Sequence, residues 1–253
     1  MDRVENVAAG DTAKSATWNG VQDQAASLYQ VAWSWRGRRP TLACDGSNLI
    51  VGGHKGCSIG STQAGSVLMP ADSGTTLALS GLTGSTWYYL YAYDDSSSPG
   101  YEWSTTAPDS SLSHKTGNET RAYLGCFYAT GASAAKPFWM RDGEYLYRVS
   151  AIASTTAYYA ATASATFIDL ALTAWMPPHA RLARLRVRVD AVTTTPWEGR
   201  TKGDSTSSWQ TPYVPAATSA EWRVDLQTDS SQTIQHKSAA DASETIYVVG
   251  FDE

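Results

Sequence analysis

The 253-residue sequence predicts a mainly β protein, with antiparallel β-sandwich-type domains preceded by a short N-terminal α-helical segment. Three observations predict it. From residue 47 onward the chain breaks into short runs rich in Val, Ile, Thr, Tyr and Trp, separated by Gly, Ser, Asp and Pro turns. Several runs alternate apolar and polar residues, which sends successive side chains to opposite faces of a sheet. Only residues 11–32 carry apolar groups at the three-and-four spacing of a helix.

That stripe consists of Trp18, Val21, Ala25, Leu28, Tyr29 and Ala32. Asp11 or Ser15 can cap the first free N–H groups, while Gly20 weakens the interior. The helix has no helical neighbour in the chain, so its stripe must pack on the β-domain, on copies of itself or on another protein. Trp18, Val21, Leu28 and Tyr29 are therefore candidate docking residues. "WSWRGRRP" follows at 33–40, where Gly37 and Pro40 break regular structure. Its Arg36, Arg38 and Arg39 make either a solvated hinge or a clamp on an acidic partner. The expected division is 1–39 helical, 40–150 an aromatic-rich β domain, and 151–253 a second β domain.

In the first β domain the candidate strands are "NLIVGG", "SVLMP", "TTLALS", "TWYYLYAYD", "YEWST", "RAYLGCFYA", "FWM" and "EYLYRVS". Asp142-Gly143, between "FWMR" and "EYLYRV", is a strong two-residue hairpin signal. In "WYYLYAY" both faces are substantially apolar, which predicts burial on both sides, although Trp and Tyr also serve as stacking platforms for sugar rings. Residues 151–164 read as strand or linker. The second domain supplies "TFIDLAL", "RLRVRVDAV", "AEWRVDLQT", "QTIQHKS" and "TIYVVGF". In "RLRVRVDAV", Leu185, Val187, Val189 and Ala191 share a core face. Arg184, Arg186 and Arg188 share the other, facing solvent, acidic residues on a neighbouring strand such as Asp225, or an acidic neighbouring subunit. Residues 193–219 form a long loop with Pro196, Trp197, Trp209, Pro212 and Pro215, of the length that often carries function.

The net charge of −5 gives no general reason to expect nucleic-acid binding, which needs a basic face. No run of about 18 apolar residues predicts a membrane span. The first residues lack the pattern of a cleaved signal peptide, so cytoplasmic synthesis and assembly is the expectation. With 14 Tyr and 10 Trp against 4 Phe, the aromatics suit half-wet surfaces. Three cysteines make a poor disulfide framework. Cys44, His54 and Cys57 offer three zinc-type ligands where a structural site needs four, so no metal or cofactor is expected.

"GCSIG" at 56–60 matches the nucleophile-elbow pattern around Ser58, but the helix that should follow is missing from the pattern. "GSTQAG" at 60–65 lacks the Lys of a phosphate loop. Asp94, Asp95, Glu102 and Asp109 lie near the aromatic strands, where a glycosidase would need a carboxylate pair, yet turn Asp residues commonly bond local backbone. No coherent catalytic set emerges, and a non-enzymatic protein is expected. Tyr101, Trp103, Trp197 and Trp209 are the candidate ligand or partner contacts.

The segments "LTGSTWYYLYAYD" at 82–94, "STTAP" at 104–108, "HKTGNETRAYLGCF" at 114–127 and "DGEYLYRV" at 142–149 resemble, in order and spacing, a stretch of bacteriophage virion proteins, especially tail-fibre and related appendage proteins. The resemblance covers about residues 75–150 and brings no catalytic residues with it. It implies a β-rich structural component of a phage particle, homotrimeric, attached to other virion proteins through its N-terminal region. The chain lacks the repeats and long shaft of a long tail fibre, so a head fibre, a capsid decoration protein or a tail-collar component fits equally well. A receptor-binding module for host surface glycan is the alternative reading.

Overall fold

The computed structural model describes residues 41–52, 58–59, 67–68, 75–95, 98–141, 143–148, 158–162, 164–206 and 208–253. The helix expected over 11–32, with Trp18, Val21, Leu28 and Tyr29, and the Arg36, Arg38 and Arg39 segment lie outside them. Among the described residues there is no helix.

The strands of the first half are β1 Thr41–Cys44, β2 Asn48–Gly52, β3 Ser58–Ile59, β4 Val67–Leu68, β5 Thr75–Ala78, β6 Thr86–Asp95, β7 Ser98–Ser104, β8 His114–Lys115, β9 Asn118–Gly131, β10 Ala134–Ala135, β11 Phe138–Arg141 and β12 Glu144–Tyr147. Those of the second are β13 Tyr158–Thr162, β14 Ile168–Ala171, β15 Leu182–Ala191, β16 Glu198–Thr201, β17 Trp209–Gln210, β18 Thr218–Gln227, β19 Thr233–Lys237 and β20 Ser243–Asp252. A nine-stranded sheet runs β18-β15-β20-β12-β11-β1-β2-β5, with β13 also on β20. A five-stranded sheet runs β10-β9-β6-β7 with β8 on β9, a four-stranded sheet runs β14-β19-β16-β17, and β3 pairs with β4. Because β12 pairs with β20 and β20 with β15, strands from both sides of residue 150 build one sheet.

Local chemistry explains the main elements. β15 buries Ala183, Leu185, Val187 and Val189 while its arginines face outward. Arg184 makes ion pairs with Glu144 at 2.7 Å and Asp252 at 2.9 Å, and Arg188 pairs with Asp190 at 3.0 Å. Arg186 lies 3.7 Å from Glu221, so the acids that hold the row are on β12, β20, β18 and β15 itself. Asp225 stands opposite Arg184 in the β15–β18 register. The β11–β12 hairpin closes Arg141 onto Glu144, with Gly143 at φ 84°, the left-handed conformation a tight hairpin needs.

β6 is sandwiched between β7 and β9, and Tyr88, Tyr89, Leu90, Tyr91 and Ala92 are all buried. One face meets the large sheet: Trp87 lies edge-on to Phe251, which stacks on Tyr145 at 4.3 Å between ring centres. On the other face Tyr88 stacks on Phe127, and β3 lies close to β6 and β9. Gly125 lets the two sheets close, since a Cβ there would stand 2.6 Å from the Tyr145 hydroxyl and 2.9 Å from Leu42 Cδ2. The four-stranded sheet packs on the other end of the large one, where the backbone of Gly199 approaches Leu226 on β18.

Candidate functional site

The loop expected over 193–219 contains β16, β17 and a bridge between Thr195 and Val214. These elements are held around Trp197, whose side chain is fully buried. Its N–H donates to Thr211 Oγ1 at 2.9 Å, and the N–H of Thr211 donates back to the Trp197 carbonyl at 2.9 Å. The indole stacks parallel to His236, 6.5 Å between ring centres, and leaves no room for a side chain at Gly199. Trp197 therefore does not present a face to a ligand, which corrects its expected role as a stacking platform. Trp209 lies edge-on to Trp197 and is 37% exposed, and Tyr213, four residues on, is 65% exposed. Among the described residues of the loop, those two are the exposed aromatic rings.

Beneath Trp197, His236 on β19 and Glu244 on β20 face each other with 2.8 Å between Nδ1 and Oε1, and both side chains have no exposure. Ser238 Oγ lies 3.4 Å from the other carboxylate oxygen. Glu244 falls in the core-facing phase of β20, with Ile246 and Val248. A charged residue in the apolar phase of a strand is a sequence-level signal, and a sequence reading that singled out neither residue missed the pair. Nearby, an open cleft of about 440 Å³ is lined by Asp190, Val192, Thr218, Ser219, Asp241 and Ser243. Its carboxylates are engaged, Asp190 by Arg188 and Asp241 by the Thr193 hydroxyl at 3.0 Å.

Tyr101 and Trp103 on β7 are half-buried against the core, with Trp103 edge-on to Phe127. They share the outer face of the five-stranded sheet with Leu90 and Ala92, their partners on β6. Glu102 is bound by Lys115 at 3.0 Å and Arg121 at 3.1 Å. Asp109 accepts the Ser113 N–H at 3.0 Å and the Ser111 hydroxyl at 2.9 Å. Burial acts to raise its carboxyl, but these bonds hold it below the usual range. Both carboxylates thus organise local structure. The side chains of Asp94 and Asp95 are outside the described residues.

Ser58 is the first residue of β3, its backbone opposite Leu68. Cys44 is in the core, where burial pushes its thiol up to about 11. His54 and Cys57 lie outside the described residues.

A second cluster joins residues far apart in sequence. Glu253 Oε1 accepts the Tyr123 hydroxyl at 2.5 Å, lies 3.0 Å from His179 Nε2 and accepts the Cys126 thiol at 3.3 Å. The ligating atoms of Cys126, His179 and Glu253 all lie within 4.8 Å of one another. Desolvation, reinforced by Glu253, pushes the Cys126 thiol well above its ordinary value. Tyr89 and Tyr123 enclose the His179 ring. No motif spacing links positions 126, 179 and 253, so only the sheet packing reveals this group.

No protein-family model matches the sequence, and no curated protein matches it. Among solved structures, a crystal structure of a Bacillus thuringiensis Cry1Da tryptic core variant aligns with 84% of this chain and 50% of that one, at 9% identity and a TM-score of 0.17. A likeness of that degree carries no argument about fold or function.

Proposed function

We propose that this chain is a non-enzymatic structural component of a bacteriophage particle, a tail-fibre or other appendage protein that docks through residues 1–39 and displays the β body. The observation that carries the reading is the ordered series of segments at 82–94, 104–108, 114–127 and 142–149 and its resemblance to virion appendage proteins. Two features of the body support it. The Tyr-rich strand of that series is a two-sided core element. In addition, Ile50 and Trp139, 38% and 44% exposed, flank Ala43 on the outer face of the large sheet. That apolar row lies on and beside β1, where residues 1–40 enter the body, and is suited to a protein neighbour. A homotrimer is the assembly this reading expects.

The test is native mass spectrometry of the purified chain together with peptide mapping of purified particles from the host strain. A trimer present in particles is the expected result. A monomer at high concentration that is also absent from particles would overturn the reading, and labelled-particle imaging assigns head or tail.

The exposure of Trp209 and Tyr213 favours one second reading, contact with a host surface glycan by stacking. Glycan-array binding that Trp209→Ala abolishes supports it, and an array with no binder removes it.

A further inference from the structure

The Cys126, His179 and Glu253 cluster has the donor set of a transition-metal site. We propose that it binds a zinc ion through Cys126 Sγ, His179 Nε2 and Glu253 Oε1, with a water beside the Tyr123 hydroxyl completing the shell. Zinc takes thiolate, imidazole and carboxylate together, at roughly 2.0–2.3 Å. Tetrahedral placement of such ligands separates the donor atoms by roughly 3.3–3.6 Å. Two separations, 3.0 Å from Glu253 to His179 and 3.3 Å from Glu253 to Cys126, fall within a few tenths of an ångström of that, while Cys126 and His179, within 4.8 Å of each other, must draw together around the ion.

The setting adds to the chemistry. The single oxygen Oε1 accepts the Tyr123 hydroxyl and the Cys126 thiol and also lies 3.0 Å from His179 Nε2, so three polar groups crowd one carboxylate oxygen. An ion at the centre replaces that crowding with coordination. The Cys126 and Glu253 side chains are buried while His179 keeps 16% exposure, which leaves an entry path. On binding, the Cys126 thiol loses its proton to solvent, and His179 ligates as neutral imidazole with its proton on Nδ1. The ligands come from β9, from the turn before β15 and from just beyond β20. The ion would therefore bridge the five-stranded sheet and the large one while keeping the open, water-filled fourth position of a three-ligand site.

The experiment uses the full chain, stripped with chelator and then loaded with Co²⁺ or Zn²⁺. Co²⁺ should give a thiolate-to-metal absorption band that one equivalent of Zn²⁺ removes, and saturating Zn²⁺ should raise Tm by roughly 5–10 °C. Cys126→Ala should lose the band and the shift. A wild-type chain with no thiolate band overturns the proposal whether or not the variant folds, as does a band and Tm shift retained in Cys126→Ala.

Discussion

Lys136, just after β10, is 8% exposed, and its ammonium donates to the Ala174 carbonyl while lying against the rings of Trp175 and Tyr128. Desolvation pushes this group down from 10.5 to about 7. At about 1.4 kcal/mol per pH unit, that gap means that keeping the charge in the fold costs about 5 kcal/mol. The ring contacts offset about 1–3 kcal/mol of this. Above 10.5 the side chain is neutral in both states and the cost is absent. As pH falls from 10.5 towards 7 the unfolded chain takes up a proton that the folded chain does not, so stability declines. Below 7 the full cost is present. Lys136→Met keeps the stem and removes the charge. It should therefore be more stable than the parent by about 1–3 kcal/mol at pH 6, with the margin shrinking or reversing by pH 10. Urea unfolding followed by tryptophan fluorescence at pH 6, 8 and 10 measures it. Tyrosines and cysteines titrate in both proteins and cancel in the difference. A margin that stays constant from pH 6 to 10 would refute the reasoning, because it would mean that water reaches the ammonium in the fold.

Trp197→Ala should cost about 3–5 kcal/mol by emptying the centre of the four-stranded sheet, whereas Trp209→Ala should cost under about 1 kcal/mol; comparable losses in chemical denaturation would contradict the burial of one and exposure of the other. Gly250→Ala places a Cβ 1.9 Å from the Tyr145 carbonyl oxygen on β12 and should cost at least about 2 kcal/mol, with increased amide exchange along β12 as its signature. His236→Leu and Glu244→Leu should each cost about 3–5 kcal/mol, and the double variant less than their sum; strict additivity in the cycle would show that the two side chains do not interact.

Much of the fold was legible where periodicity and turn chemistry agree. The alternation in "RLRVRVDAV" assigned the two faces of β15, and Asp142-Gly143 located the β11–β12 hairpin. The two-sided apolar character of "WYYLYAY" predicted an interior strand, as found. β1 was missed because its four residues follow the proline and arginines that read as a break. β16, "EGRT", was missed because it has no apolar alternation of its own and is held by β19 and by the Trp197 ring over Gly199. The candidate sites were harder to read. Trp197 and Trp209 sit in equally polar surroundings along the chain, and only the closing of the loop decides which of them is inside. Pairing across residue 150 was likewise invisible, since periodicity identifies a strand's faces but not its neighbours.

β20 holds β15 on one edge and β12 with β13 on the other, and its partner Glu144 is paired with Asp252 from more than a hundred residues away. A sheet whose central member is made late folds slowly, since loop closure over that span precedes any gain from pairing. Until residues 243–252 leave the ribosome, β12 and β15 have bare edges that can pair with another copy of the chain. Assembly intermediates of this protein should therefore be most prone to aggregate just before synthesis of that strand, and a truncation at residue 242 should be insoluble even though most of the hydrophobic residues are present.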